Sequence, residues 1–478
     1  MSDIFLVFKM KKRTVLTAFV LAATVFPSGA QDVKTDEEKL TSDYYTALYR
    51  DKDTVRADAL KTELFSKYPK GMFARRYTAE SVNAAADTVE YMALCDSFRR
   101  EFPLSEWLTD PDSQGFVYMN FYRGYARYLY SSKQWDKLRE VLPEMTYTML
   151  ADLYAHGPMF YIMKAPVDPR QYVDIAQDII DEMYAKKDVD VDMYSEGAIR
   201  SGAESMKYYL SVQTEVLQRS GRAEDAVECM EKINEEDRYN QYPAGNEAYV
   251  MALEELGRDD EAAEAVLAST AVGRLTPKLF SRLKDYYMSL ESRPAATFDE
   301  YYSSLKTEKA KENLINDVLK GMTDEPYERF CLTSIKGKEV DSSEYGPDDI
   351  IVLDFWATWC APCIAALSGM QLAVDRYADD DSVHFFFVCT QDEPDKARVK
   401  RIWKNGDYHN MTVLFDRCRD GSNGYDKVYR SIIHGTSGIP QKAVLKDGRV
   451  RYIAEGYGGS PSELMDEISA VIEILKNE

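Results

Sequence analysis

Histidine and cysteine are scarce in this chain: four and seven residues among 478. His156, His384, His409 and His434 show no ligand spacing, and the close pair Cys360 and Cys363 lacks a second pair to complete a tetrahedral site. A metal centre is therefore not expected, and no organic cofactor is called for. Seven is odd, so at least one thiol stays unpaired within the chain, and the total is too small for a disulfide framework at this length. Positive charge is also in short supply: 59 lysines and arginines face 81 acids, for a net charge of −22. That balance argues against nucleic acid or an anionic membrane as the main partner. Long apolar runs are missing apart from residues 15–26, which are too few for a comfortable membrane span.

That one apolar run reads as part of a secretory signal. Lys9, Lys11, Lys12 and Arg13 precede it, and Ser28-Gly29-Ala30 supplies small residues for cleavage after Ala30. Residues 1–30 are thus a leader, with Met10 a candidate natural start and an uncleaved anchor the alternative. No cysteine follows before Cys95, so a lipid anchor on an N-terminal cysteine is not expected. The mature protein should be soluble in an exported, oxidising compartment. Its length exceeds what one hydrophobic core organises, so two or more domains are expected.

From Gln31 the pattern is helical for almost three hundred residues. Asp53-Thr54-Val55, Ala59-Leu60 and Tyr68-Pro69 are echoed 34 residues later by Asp87-Thr88-Val89, Ala93-Leu94 and Phe102-Pro103. Downstream, Leu217 through Gly221-Arg222-Ala223-Glu224-Asp225-Ala226 matches Leu253 through Gly257-Arg258-Asp259-Asp260-Glu261-Ala262 at an offset of 36. In each, Gly ends one helix and acids open the next, where the helix dipole favours them. Ala226, Val227, Met230 and Ile233 then form an apolar stripe at helical spacing. These periods resemble tetratricopeptide-like helical hairpins, although the full consensus is absent. Residues 120–202 are irregular as a repeat, with loops marked at Gly157-Pro158 and 166–169. Tyr44, Tyr45, Tyr125, Tyr128 and Tyr130 either line a peptide-binding concavity or pack between helices with their hydroxyls reaching solvent. A helical pattern over 299–320, closed by Gly321, ends this all-α region, and the boundary falls within 322–326.

The period then changes. Residues 330–333 and 339–341 flank Ile335-Lys336-Gly337-Lys338 as a hairpin, and 350–355 are nearly all apolar, as in a strand buried on both faces. A helix follows from Cys360, then strand 383–389, helix 395–404 and strand 411–415. Strands 441–445 and 449–453 turn at Asp447-Gly448, and Ser460-Pro461-Ser462-Glu463 opens a last helix as a capping box. This order predicts an α/β domain with a mixed sheet over 323–478, following an all-α helical-hairpin region over 31–322.

The chemistry concentrates in Trp356-Ala357-Thr358-Trp359-Cys360-Ala361-Pro362-Cys363. Two thiols three residues apart at a strand-to-helix junction can close a disulfide across the first helical turn. Unpaired backbone N–H groups and the helix dipole favour a thiolate on the leading cysteine. Cys360 is then the attacking sulfur, and Cys363 the one that resolves a mixed disulfide. The Ala-Pro dipeptide has no histidine to stabilise that thiolate. A moderately reducing couple follows, suited to a reductase or isomerase more than to an oxidase.

Together, Phe330…Gly337-Lys338…Val340, the Asp354-to-Cys363 stretch, Gly438-Ile439-Pro440 (Pro440 lying 77 residues after Cys363) and Lys446-Asp447-Gly448-Arg449 resemble the thioredoxin fold. More narrowly they resemble the exported TlpA/ResA-like thiol–disulfide oxidoreductases. The resemblance implies a redox-active Cys360–Cys363 disulfide and a cis Pro440 against the sulfurs. It further implies an Ile439 backbone that pairs with substrate peptide and a Trp359 that gives the disulfide an apolar cover. Asp354 matches the buried acid beneath the thioredoxin active site, implying a general base that takes the proton of Cys363. An ordinary solvent-facing aspartate is the alternative reading of that residue. The family also implies protein thiols and disulfides as partners, a membrane-bound electron donor, and a periplasmic location.

The chain departs from the pattern too. Many members carry an acid three positions after the second cysteine and a proline two further on; here Ala366 and Ser368 stand there. Proton handling would then rest on Asp354, and specificity for cytochrome c maturation is not implied. A peroxiredoxin would need Thr three and Pro seven residues before its reactive cysteine, where this chain has Ala357 and Leu353. Cys95 and Cys229 sit on apolar stripes as packing residues, and Cys331 lies on the first hairpin. Cys389 and Cys418, near the ends of adjacent predicted strands, either pair or remain free thiols. The rival to an enzyme is a helical scaffold that binds exported polypeptide, with the thioredoxin-like part as a structural cap.

Overall fold

The computed structural model describes residues 35–164, 167–194, 197–393, 395–417, 424–435 and 438–478. The expected leader and the candidate start at Met10 lie outside these residues. Helices dominate to residue 321, and a mixed eight-stranded sheet with flanking helices follows. The chain is thus an all-α region followed by an α/β domain of thioredoxin-like architecture. Two compact units divide after Thr78, so the change from helix to strand at residue 322 is not a break in packing. Among the described residues no helix is long and apolar enough to cross a membrane.

The repeats take shape for local reasons. Helix Thr54–Lys67 and helix Thr88–Glu101 are each capped by the aspartate that begins the repeat. Asp53 accepts the Arg56 N–H and Asp87 the Glu90 N–H, both at 2.9 Å. Each cap satisfies an otherwise orphaned amide and contributes about 1 kcal/mol. Tyr44, Ala47, Leu64 and Phe73 form the core of the first unit. In the second unit, helices Ala203–Arg219 and Ala223–Glu231, then Pro243–Glu255 and Asp259–Ala271, give the second repeated pair. Gly221 and Gly257 turn between the helices with φ of +79° and +71°, which glycine adopts without a Cβ penalty. Ala226, Val227, Met230 and Ile233 are all buried, as their spacing requires.

Several elements differ from expectation. The single helix over 299–320 is two, Phe298–Ser304 and Glu308–Gly321. Thr307 breaks it, its hydroxyl accepting the Ala310 N–H while its own N–H reaches the Ala271 carbonyl. The supposed loop at Gly157-Pro158 is the seam between helices Tyr147–His156 and Pro158–Met163, with Pro158 at a position that needs no N–H. Pro166 lies outside the described residues. The capping box at Ser460 is half formed: Ser460 accepts the Glu463 N–H, but the Glu463 carboxylate turns to Arg274 instead.

In the α/β domain the strands are β1 Met322–Pro326, β2 Cys331–Ser334, β3 Glu339–Asp341, β4 Ile350–Trp356, β5 Val383–Cys389, β6 Thr412–Phe415, β7 Gln441–Lys446 and β8 Arg449–Glu455. Their order across the sheet is β1-β8-β7-β4-β5-β6-β2-β3. β4 lies in the middle, parallel to β5 and antiparallel to β7, and all seven of its residues are buried. Ile351, Leu353 and Phe355 face one side, against Val428, Tyr429 and Ile432 of helix Lys427–Ile432. Val352, Asp354 and Trp356 alternate to the other. Helix Pro461–Lys476 packs against helix Ala361–Arg376 and against β7. It is also bound to the all-α region, Ser460 and Ser462 donating to the Gly273 carbonyl and Tyr302 to Asp466. β1, which spans the residues where the sequence places the domain boundary, is an edge strand on β8.

Candidate functional site

The dithiol motif sits where β4 delivers the chain to helix Ala361–Arg376. The apolar strand fixes its C-terminal end at the middle of the sheet, and Cys360 becomes the helix N-cap. Pro362 occupies the first turn, where its missing N–H costs nothing. Cys360 and Cys363 form a disulfide, and the Cys363 N–H points to Cys360 Sγ at 3.3 Å. That amide belongs to the positive end of a 16-residue helix, so a thiolate at Cys360 would be met by a donor and a dipole. Cys360 is 3% exposed and Cys363 is fully buried. Of the two sulfurs only Cys360 belongs to a residue with any surface.

Three other segments meet this pair. The Ile439–Pro440 peptide is cis, and the Ile439 carbonyl oxygen stands 3.7 Å from Cys360 Sγ. A disulfide sulfur carries no hydrogen, so this is a contact and not a donated bond. The segment is held by Tyr429, whose hydroxyl donates to the Gly438 carbonyl at 2.8 Å. Tyr429 is fixed in turn by buried Asp416, which accepts the Val428 and Tyr429 N–H groups and the Thr390 hydroxyl. On the other side, Trp359 is 54% exposed, and its indole N–H donates to the Gln391 carbonyl at 3.2 Å. Thr358 gives both its N–H and its hydroxyl to Asp392, pinning the motif to the loop after β5.

Asp354 is 1% exposed, which removes the reading of an ordinary surface aspartate. Neither of its carboxyl oxygens has a hydrogen-bond partner among the described residues. Burial pushes its pKa up to about 6, with Lys442 pulling the other way. Lys442 is its register partner on β7 and is itself fully buried. Sequence reading passed over Lys442, as it did Asp392 and Asp416. The available signal was a lysine directly before the apolar Ala443-Val444-Leu445, in register with Asp354.

The remaining candidates separate from this centre. Ala366 is fully buried, and Ser368 donates to the Ala365 carbonyl and shares a hydrogen bond with the Tyr457 side chain. Cys95, Cys229 and Cys389 are buried, and burial raises each thiol to about 12, the range of inert packing residues. Cys418 lies outside the described residues. Among the described residues no cluster of His, Cys, Asp and Glu could hold a metal. Tyr44, Tyr125 and Tyr130 are packing residues with little exposure. A cavity of about 390 Å³ in the all-α region is lined by Arg127, Tyr128, Tyr130, His156 and Tyr161; its lining shares no residue with the disulfide site.

Residues 323–453 match the AhpC/TSA family. No curated protein matches the sequence significantly. Among solved structures the chain is similar to a thioredoxin-family thiol:disulfide interchange protein of Chlorobium tepidum (19% identity, 31% of this chain and 97% of that one, TM-score 0.26). It is also similar to a putative protein disulfide isomerase of Bacteroides thetaiotaomicron (17% identity, 33% and 95%, TM-score 0.26). A third is the exposed lipoprotein thioredoxin of Streptococcus pneumoniae (24% identity, 31% and 99%, TM-score 0.25).

Proposed function

We propose that the protein is an exported thiol–disulfide oxidoreductase that reduces or isomerises protein disulfides through Cys360 and Cys363. The observation that carries this is the disulfide at a helix N-terminus, its Cys360 sulfur against the backbone of Ile439 and its Cys363 sulfur buried. Substrate peptide pairs along Ile439 as an added strand, with the Trp359 ring beside it. In the reduced protein the Cys360 thiolate attacks one sulfur of the substrate disulfide, and the other substrate sulfur leaves as a thiol. Asp354 then takes the proton of Cys363, and the Cys363 thiolate attacks Cys360. The mixed disulfide breaks, the second substrate thiol departs, and two electrons have passed from the dithiol to the substrate. A membrane-bound dithiol donor restores the reduced state from the periplasmic side. The all-α region, tetratricopeptide-like in its periods, recruits the substrate protein.

The AhpC/TSA match points to the shared fold and not to peroxidase chemistry, because Ala357 and Leu353 replace the Thr and Pro that a peroxidatic cysteine needs. The test is insulin-disulfide reduction by wild type and by Cys360→Ser. Activity confined to the wild type supports the proposal; equal rates leave a helical scaffold with a structural cap. Cys363→Ala should accumulate mixed disulfides on Cys360, and their mass identifies the partner.

A further inference from the structure

The cavity in the all-α region is walled by helices Gly115–Ser131, Tyr147–His156 and Pro158–Met163. Two glycines shape it. Gly124 lies inside the first helix, where glycine costs about 1 kcal/mol against alanine. A Cβ at that position would meet nothing within 4 Å, so no packing contact demands the glycine and the space it leaves belongs to the cavity. At Gly157 a Cβ would stand 2.9 Å from the Tyr130 ring, so only glycine leaves that ring its place in the wall. Between them lies a charged cluster. Arg127 donates to Asp152 from Nε at 3.0 Å and from Nη2 at 2.7 Å. Arg123 donates to the same carboxylate at 3.2 Å, so two guanidiniums share one acid and a positive charge is left over. Arg127 Nη2 also lies 2.7 Å from His156 Nδ1. A guanidinium only donates, so Nδ1 accepts and the neutral ring carries its proton on Nε2. Neither Arg127 Nη1 nor His156 Nε2 has a partner among the described residues, and the same holds for the buried Tyr130 hydroxyl.

The unspent charge of this lining is positive and its free nitrogens are donors, in a chain whose net charge is −22. Tyr128, Tyr130 and Tyr161 add aromatic surface, the last two with ring centroids 5.6 Å apart. An anion with a flat apolar body satisfies both halves: guanidinium and imidazole N–H groups make the stronger, charge-assisted bonds to a carboxylate, and aromatic rings pack against one another. The walls are helices, whose backbone groups are bonded within them. Gly157, between two of them, gives its N–H to Leu153 and accepts from Tyr161. A peptide backbone therefore finds no strand edge to pair with. The volume, about 390 Å³, falls at the low end of the range for small-molecule sites. We propose that this cavity binds a small aromatic carboxylate, its carboxyl oxygens on Arg127 Nη1 and His156 Nε2 and its ring among Tyr128, Tyr130 and Tyr161. Asp152 holds the guanidinium in place for it. The site is independent of the redox function proposed above, and it gives the all-α region a ligand of its own.

The experiment is calorimetric titration of the full-length protein at neutral pH with phenylacetate and 3-phenylpropionate. Phenylacetamide and a tetrapeptide of three alanines and a C-terminal phenylalanine serve as comparisons. At least one of the two acids should bind with one-to-one stoichiometry, and the uncharged amide should bind at least about tenfold more weakly, having lost the charge-assisted bonds. Arg127→Gln should weaken the acid by a similar factor. Gly124→Leu should abolish binding, because its side chain fills the space the glycine leaves open. If Arg127→Gln fails to fold, judged by circular dichroism, Gly124→Leu decides alone, since it adds a side chain where nothing stands in the way. Absence of binding by either acid up to about 10 mM overturns the proposal. So does equal binding of acid and amide, or wild-type affinity in folded Gly124→Leu. Tighter binding of the tetrapeptide than of both free acids overturns the assignment to a small molecule.

Discussion

Asp466 and Asp354 are both buried carboxyls in the α/β domain, and burial raises the proton affinity of each. Their partners differ. Asp466 accepts the Tyr302 hydroxyl at 3.0 Å and pairs with Lys306, so helix Pro461–Lys476 is bolted to the all-α region by a satisfied group. Asp354 accepts nothing among the described residues and faces a lysine committed to Gly456. An unsatisfied buried acceptor costs about 1–3 kcal/mol, and such groups collect where a site needs them. The first acid is a joint, and the second is the one proposed above as the proton acceptor.

The comparison can be broken or sharpened by substitution. Cys360→Ser should lower insulin reduction by roughly 10³-fold or more, to the uncatalysed background, because no other thiol replaces the nucleophile. Asp466→Ala should leave the activity of folded protein intact. Its cost is stability, about 3–5 kcal/mol by urea unfolding, since Lys306 is left buried and unpaired. Asp354→Asn should act in the opposite sense. The native carboxyl binds its proton up to about pH 6, against about 4 for an unfolded aspartate, so between those values the native state holds more protons. Stability therefore falls as pH rises through that window, and a neutral asparagine escapes the loss. Asp354→Asn should gain about 2–3 kcal/mol at pH 7 and nothing below about pH 4, while release of the mixed disulfide slows. The smallest effect concerns the repeats: Asp53→Ala and Asp87→Ala should each cost about 1 kcal/mol, because both remove the same cap. Unequal costs would show that the two helices share a sequence pattern without sharing its energetics.

Much of this was legible in the sequence because local chemistry controls it. The run into Trp356, Pro362 in the first turn and Gly438-Ile439-Pro440 specify a strand, a helix start and a peptide segment whatever surrounds them. The aspartates at 53 and 87 and the glycines at 221 and 257 did the same for the helical repeats. What stayed hidden depends on partners distant in the chain. Residues 322–326 carry no strand pattern and become β1 only because β8 offers an open edge. Glu463 abandons its expected cap because Arg274, nearly two hundred residues earlier, reaches it. Lys442 reads as a misplaced charge until the β4–β7 register sets it opposite Asp354.

The most direct test of the account is a thiol count across redox buffers, by alkylation and mass of the folded protein. Cys360 should pass from protected to alkylated in one two-electron step, at a potential more reducing than about −200 mV, with buried Cys363 taking label only when the alkylated protein is then unfolded, while Cys95, Cys229 and Cys389 stay unlabelled in the folded protein. A pair that stays closed to alkylation under strong reductant in the folded protein, or that opens at the potential of a strong oxidant near −120 mV, would contradict it.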